Sequence, residues 1–163
     1  MKKIIFLLGF IIAISACKSK LKPRELGAYT YKTSAVATID GKLLVTSFGQ
    51  GQTKEDCLNN AIINALRDVV FKGIADGNPN SKQPPVLGKV NAEKTYAEFF
   101  NSFTSADGKY LEYAQLYDKP ISQSYSKKQR KLDRVLNMSL EFQLLIDRNG
   151  LVKLFSQPEL IKN

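Results

Sequence analysis

The sequence contains no histidine. Imidazole is therefore unavailable as a general base, as the partner of a serine or cysteine nucleophile, or as a metal ligand. Cysteine is scarce as well, with Cys17 and Cys57 alone. No apolar run reaches the roughly 20 residues that a helix needs to cross a bilayer. The run Ile4 to Ser15 stops at twelve. The nucleotide fingerprints are incomplete too. Gly49-Gln-Gly51 stands between an extended run and a helix start, where phosphate loops sit, but no third glycine follows three residues later and Gly-Lys-Ser/Thr is missing. The two glycines are read instead as a tight turn that uses positive φ, with the second letting the helix start close to the strand. Ser124-Tyr-Ser-Lys127 has the Ser-x-x-Lys spacing, but it falls on a strand-like stretch and has no Ser-x-Asn or Lys-Thr-Gly companion. Glu55 and Asp56 are adjacent at a helix start, where acids suit the dipole, and do not face each other as a glycosidase pair would. No catalytic residue, cofactor or metal site is expected, and the chain reads as a non-enzyme.

What is present begins at the N-terminus. Lys2 and Lys3 precede the apolar run, the pattern of a secretory signal peptide. The run ends in Ile14-Ser15-Ala16-Cys17, which is similar to the lipobox of bacterial lipoproteins. That resemblance implies cleavage between Ala16 and Cys17, thioether lipidation of Cys17 and acylation of the new terminus. Two or more acyl chains give stable anchoring, since each buried methylene contributes about 0.8 kcal/mol. Lys18-Ser-Lys-Leu-Lys-Pro-Arg24 follows, with neither an aspartate after the cysteine nor an acidic cluster. By the same resemblance the expected location is the outer membrane with the domain facing the periplasm. A Gram-positive source would move the anchor to the plasma membrane. The expected organisation is a signal peptide over residues 1–16, a lipidated cysteine and basic tether over 17–27, and a single domain over 28–163. The tether spans at most about 30 Å.

The formal charge is +9. Loss of residues 1–16 removes Lys2 and Lys3 and no acid, leaving +7. Such a charge suits anionic head groups or an acidic partner, or serves solubility alone. Nucleic acid is not an expected partner of an exported, lipidated protein. With Cys17 lipidated, Cys57 has no partner in its own chain for a disulfide. It falls on the apolar face of a helix, where core packing is the expected role. Pairing between chains and a reactive thiol are the alternatives.

Along the mature chain, Asp40-Gly41 between two apolar runs predicts a hairpin of residues 33–39 and 42–48. Residues 53–72 predict a long helix, capped by Thr53 with Asp56 and ended by Gly73. Leu58, Ala61, Ile62, Ala65, Leu66 and Val69 form its apolar stripe, and Asn60 and Asn64 are expected to face away. Residues 74–89 predict a long loop, of the kind that is often functional or mobile. Tyr96, Phe99, Phe100 and Phe103 lie at helical spacing on an inserted helix over 92–104. Residues 110–117, 121–128 and 136–146 are expected to be extended, the last with Leu140, Phe142, Leu144 and Ile146 alternating with polar residues. The tail after Asp147 favours a short helix over a hairpin. The fold class is α+β: an antiparallel sheet with the long helix on one face and a second, inserted helix.

Two surfaces carry functional readings. Lys127, Lys128, Arg130, Lys131 and Arg134 crowd a hairpin tip that could meet lipid phosphate or an acidic partner, or could be a solvated turn that discourages strand pairing. Tyr96, Phe99 and Phe103 are core residues on one reading and the lining of an apolar ligand pocket on the other. The strand, Gly49-Gln-Gly51, the Asn60-Ala-Ile-Ile-Asn-Ala-Leu-Arg67 helix and the long antiparallel strands together resemble the dodecin-like modules of small outer-membrane lipoproteins and of flagellar basal-body accessory proteins. The inserted 74–104 region departs from that module. The resemblance implies a non-enzymatic module that associates with itself or with an envelope machine. The expected function is binding or scaffolding in a cell-envelope assembly; the alternative is a lipoprotein that binds a lipid or a small apolar ligand.

Overall fold

A computed structural model describes residues 32–118, 122–123 and 138–157. The expected signal peptide and tether, Cys17 and the cationic residues of 127–134 lie outside the described residues. Strands β1 (Ser34–Ile39) and β2 (Lys42–Gly51) form the expected hairpin, closed by Asp40 at φ 49° and Gly41 at φ 77°. After β2 come α1 (Lys54–Arg67), a π-helical end (Asp68–Lys72), the two-residue β3 (Asp76–Gly77) and a 3-10 turn (Pro79–Ser81). The inserted region holds α2 (Ala92–Thr95) and α3 (Ala97–Phe103). A second 3-10 turn (Lys109–Glu112), β4 (Ala114–Leu116), β5 (Ser122–Gln123), β6 (Met138–Ile146) and α4 (Arg148–Phe155) complete the order.

The sheet runs β3-β1-β2-β6-β4, with β5 also on β6. Every pairing is antiparallel except β1 with β3. The fold is α+β, as expected. Leu43, Val45, Ser47 and Gly49 of β2 sit opposite Ile146, Leu144, Phe142 and Leu140 of β6, and together they make the face that α1 covers. From α1, the buried residues Cys57, Ala61, Ile62, Ala65 and Leu66 meet that face. Cys57 is fully buried, as the core reading expected.

The start of α1 is fixed by a reciprocal cap. Thr53 Oγ1 accepts from the Asp56 amide at 3.0 Å, and Asp56 Oδ2 accepts from the Thr53 amide at 2.9 Å. The Gly49-Gln-Gly51 turn, however, is absent. All three residues belong to β2, and neither glycine has positive φ. What both glycines provide is room. A Cβ on Gly49 would overlap the Cys57 carbonyl oxygen and lie 2.6 Å from the Ala61 nitrogen; one on Gly51 would overlap Asp56 and lie 2.9 Å from the Cys57 nitrogen. The helix backbone rests directly on the strand.

Asn60 and Asn64 also correct the expectation. Their side-chain amides donate to Gln50 O at 2.6 Å and Phe48 O at 3.0 Å. Both bonds tie the helix to the end of β2.

The inserted helix is two short helices that meet at Tyr96, which is buried with φ −103°. Residues 110–117 are not one strand. Lys109–Glu112 form a 3-10 turn, and only Ala114–Leu116 pair with β6. Three residues per turn put Tyr110 and Tyr113 on one side. Tyr110 enters the core there, and Tyr113 meets Phe103 ring to ring at 5.6 Å. The tail is helical, with Asp147 Oδ1 accepting from the Gly150 amide at 2.8 Å.

Candidate functional site

The expected aromatic pocket is filled by its own rings. Phe155 stands edge-on to Phe99 at 5.3 Å, to Phe103 at 6.2 Å and to Tyr96 at 6.3 Å. Phe71 closes the cluster against Phe100 at 5.2 Å. Tyr96 and Phe103 are buried, and Phe99 is partly buried against them. The structure thus brings Tyr96, Phe99 and Phe103 together, as packing around Phe155. Edge-to-face contacts of this kind contribute about 0.5–1.5 kcal/mol each beyond area burial. An open cleft of about 600 Å³ lies elsewhere, between Phe71 and the Lys89, Asn91, Glu93 and Lys94 stretch, and none of the three expected pocket residues lines it.

The long 74–89 segment is tied down along its length. Ile74 and Gln83 exchange backbone hydrogen bonds at 2.8 and 3.0 Å. The π-helical end supplies the next anchors. There the Gly73 amide reaches back five residues to Asp68 O at 2.7 Å, and the Ile74 amide goes to Gln83, so the carbonyls of Val69 and Val70 are left for outside donors. The amides of Val86 and Leu87 take them, at 3.1 and 2.8 Å. Asn78 holds β1 through its amide to Ala35 O and its side chain to Val36 O. Arg148 Nη2 donates to Pro84 O at 3.0 Å. The segment is an ordered strap across the end of α1.

A buried polar cluster joins the first described residues to the helix. Asp68 is 4% exposed; its Oδ2 accepts from the Thr33 amide at 3.2 Å and its Oδ1 meets Lys72 Nζ at 3.1 Å. Thr33 Oγ1 and Ser47 Oγ lie 3.4 Å apart, and Ser47 Oγ donates to Ala61 O at 3.0 Å. Burial pushes the Cys57 thiol up from its ordinary value, with the Asp56 charge adding to it. Asp56 is held below the usual carboxylate range by its hydrogen bonds from Thr53. These groups stabilise the helix start and the entry of β1, and their polar atoms meet backbone or one another. Among the described residues no group of three or more Cys, Asp or Glu could hold a metal ion.

Sequence reading missed the outer edge of β4. Leu111, Leu116 and Tyr117 are 53%, 44% and 49% exposed, three of the five large apolar side chains most open to solvent among the described residues. The signal is present as three apolar residues within seven, in a stretch expected only to be extended. Comparison with protein-family models, with curated proteins and with solved structures finds no match.

Proposed function

We propose that this protein is a lipoprotein anchored through Cys17, whose α+β domain is a binding or scaffolding module of a cell-envelope assembly, on the outer membrane and facing the periplasm. One observation carries the anchor: Ile14-Ser15-Ala16-Cys17 closes an apolar run that begins behind Lys2 and Lys3. The fold is compatible with a binding role. Its buried polar groups hold structure, its aromatic cluster is packed, and three of the five exposed large apolar residues among the described ones gather at a sheet edge. Partner binding is the use that such a surface supports.

Growth with an alkynyl palmitate analogue tests the anchor. Label and membrane sedimentation are expected for the parent chain and absent for Cys17→Ser; label retained by Cys17→Ser refutes the assignment. Crosslinking in intact cells and mass analysis test the assembly. One or more envelope proteins at fixed stoichiometry are expected. Serine at Lys127, Lys128, Arg130 and Lys131 should lower their recovery if the basic tip contributes, and unchanged recovery leaves the tip a solvated turn.

A further inference from the structure

We propose that the cleft beside Phe71 receives the phosphate of an anionic lipid headgroup, with the Val90 turn set against the membrane. The inference rests on the lipid anchor at Cys17, and not on the scaffolding reading. The cleft measures about 600 Å³, within the roughly 300–1,000 Å³ of small-molecule sites. Phe71, half-buried and held edge-on by Phe100 at 5.2 Å, lines it together with the exposed Lys89, Asn91 and Lys94.

The charge of the lining is unbalanced. Glu93 is its acid and sits 3.5 Å from Arg67 Nε, while Glu98 on α3 is not part of it. Among the described residues neither Lys89 nor Lys94 has a carboxylate partner. Two ammoniums and the Asn91 carboxamide thus offer donors to a phosphate, beside a ring that suits glycerol and acyl carbons. The backbone that carries them is fixed. Asn91 holds a left-handed φ of 61°, and its carbonyl accepts from the Thr95 amide at 3.0 Å and the Thr95 hydroxyl at 3.1 Å. The Ala92 amide donates to Lys89 O at 3.2 Å.

Position selects a lipid over a soluble ester. The anchored segment joins the described residues at Lys32, fifteen residues after Cys17, so at most about 50 Å separates that junction from the acylated sulfur. The next residue, Thr33, donates its amide to Asp68 Oδ2 at 3.2 Å, where the π-helical end begins. Phe71 belongs to the same five-residue end, and the Leu87 amide joins it through Val70 O at 2.8 Å. Five helical residues rise less than about 8 Å, so the junction and the cleft share one end of α1. Val90, next to Lys89, is 90% exposed, the most open large apolar side chain among the described residues. An apolar crest beside cations suits the boundary between headgroups and acyl chains.

The test places benzoylphenylalanine at Val90 of the lipidated chain, in vesicles of equal parts phosphatidylglycerol and phosphatidylcholine. Glu55, exposed at the opposite end of α1, is the control position. The expected result is a lipid adduct from position 90 and not from 55, favouring phosphatidylglycerol at least tenfold. Lys89→Met and Lys94→Met should each lower that preference about fivefold, and Lys89→Arg should keep it. A chain that stays on the vesicles and gives no adduct from position 90 overturns the docking and spares the anchor. Equal yields from the two lipids, or a preference that both methionine variants leave unchanged, overturn the phosphate site. Glycerol phosphate that binds the chain in lipid-free micelles and is lost from both methionine variants, with no lipid adduct from position 90, overturns the membrane as the source. A chain that takes no acyl group at Cys17 and leaves the vesicles overturns the anchor and this inference with it.

Discussion

Gly49→Ala should unfold this domain far more readily than a one-carbon change on a strand normally does. The new Cβ would overlap the Cys57 carbonyl oxygen and stand 2.6 Å from the Ala61 nitrogen, both of them backbone atoms of α1. No rotamer relieves such a contact, so the helix must lift by more than an ångström. It is held down by Ser47 Oγ to Ala61 O at 3.0 Å, Asn64 to Phe48 O at 3.0 Å and Asn60 to Gln50 O at 2.6 Å. A lift of that size stretches all three, each worth about 1 kcal/mol net. Staying in place instead costs about 1–3 kcal/mol of overpacking strain. Alanine returns roughly 0.5–1 kcal/mol of backbone entropy, so lifting the helix leaves a net loss of about 2–2.5 kcal/mol. That is a large part of the 5–15 kcal/mol typical of a domain. Urea unfolding followed by circular dichroism reads it directly, and Gly88→Ala, where a Cβ would meet nothing within 4 Å, is the control. The control should stay within about 0.5 kcal/mol of the parent. A Gly49→Ala protein equally close to the parent would refute the seating of α1 on β2.

Thr53→Ala should cost about 1 kcal/mol in the same assay, by removing the cap on the Asp56 amide. Because the folded Asp56 titrates below its ordinary 3.8, its stabilising effect is complete above that pH and is lost as pH falls through the lowered folded value. Acid titration should therefore narrow the gap between parent and Thr53→Ala as pH falls through that lowered value, without closing it, because the Thr53 Oγ1 cap on the Asp56 amide does not titrate. In a Cys17→Ser chain, Cys57 should react with a disulfide reagent at pH 8 only as fast as the domain opens, because it is fully buried with its thiol pushed up; reaction at the rate of a free thiol would place it at the surface. Asp68→Ala should cost about 1–3 kcal/mol by leaving the buried Thr33 amide without its acceptor, whereas Lys72→Met, at a half-exposed ammonium, should cost less than about 1 kcal/mol. Equal losses in the two variants would assign the effect to the ion pair.

Much of this fold was legible because its period is regular. Leu140, Phe142, Leu144 and Ile146 alternate along β6, and Thr53 with Asp56 announces the start of α1. Where reading failed, one residue type served two purposes. Gly49 and Gly51 resemble turn residues, yet they sit in a strand that a helix backbone touches, and nothing local distinguishes the two uses. Asn60 and Asn64 look like a solvent face until the fold sets them over the Gln50 and Phe48 carbonyls. Tyr110 and Tyr113 read as part of a strand, but spacing by three suits a 3-10 turn equally well, and the aromatic core decides between them. The β4 edge was hidden for a related reason: periodicity reports which residues are apolar and not whether a neighbouring strand covers them. The resemblance of Ile14-Ser15-Ala16-Cys17 to a lipobox needed no fold at all.

The π-helical end links two chain lengths that would otherwise vary separately. Deleting one residue within Asp68–Lys72 would let the ladder close as ordinary α-helix and would return the Val69 and Val70 carbonyls to their own helix. Val86 and Leu87, sixteen or more residues downstream, would then lose their acceptors. The strap and the π-helical end are thus coupled through these two hydrogen bonds. Homologous chains should carry both or neither, and a gap at one with the other intact should mark a protein that has rebuilt this end of the molecule.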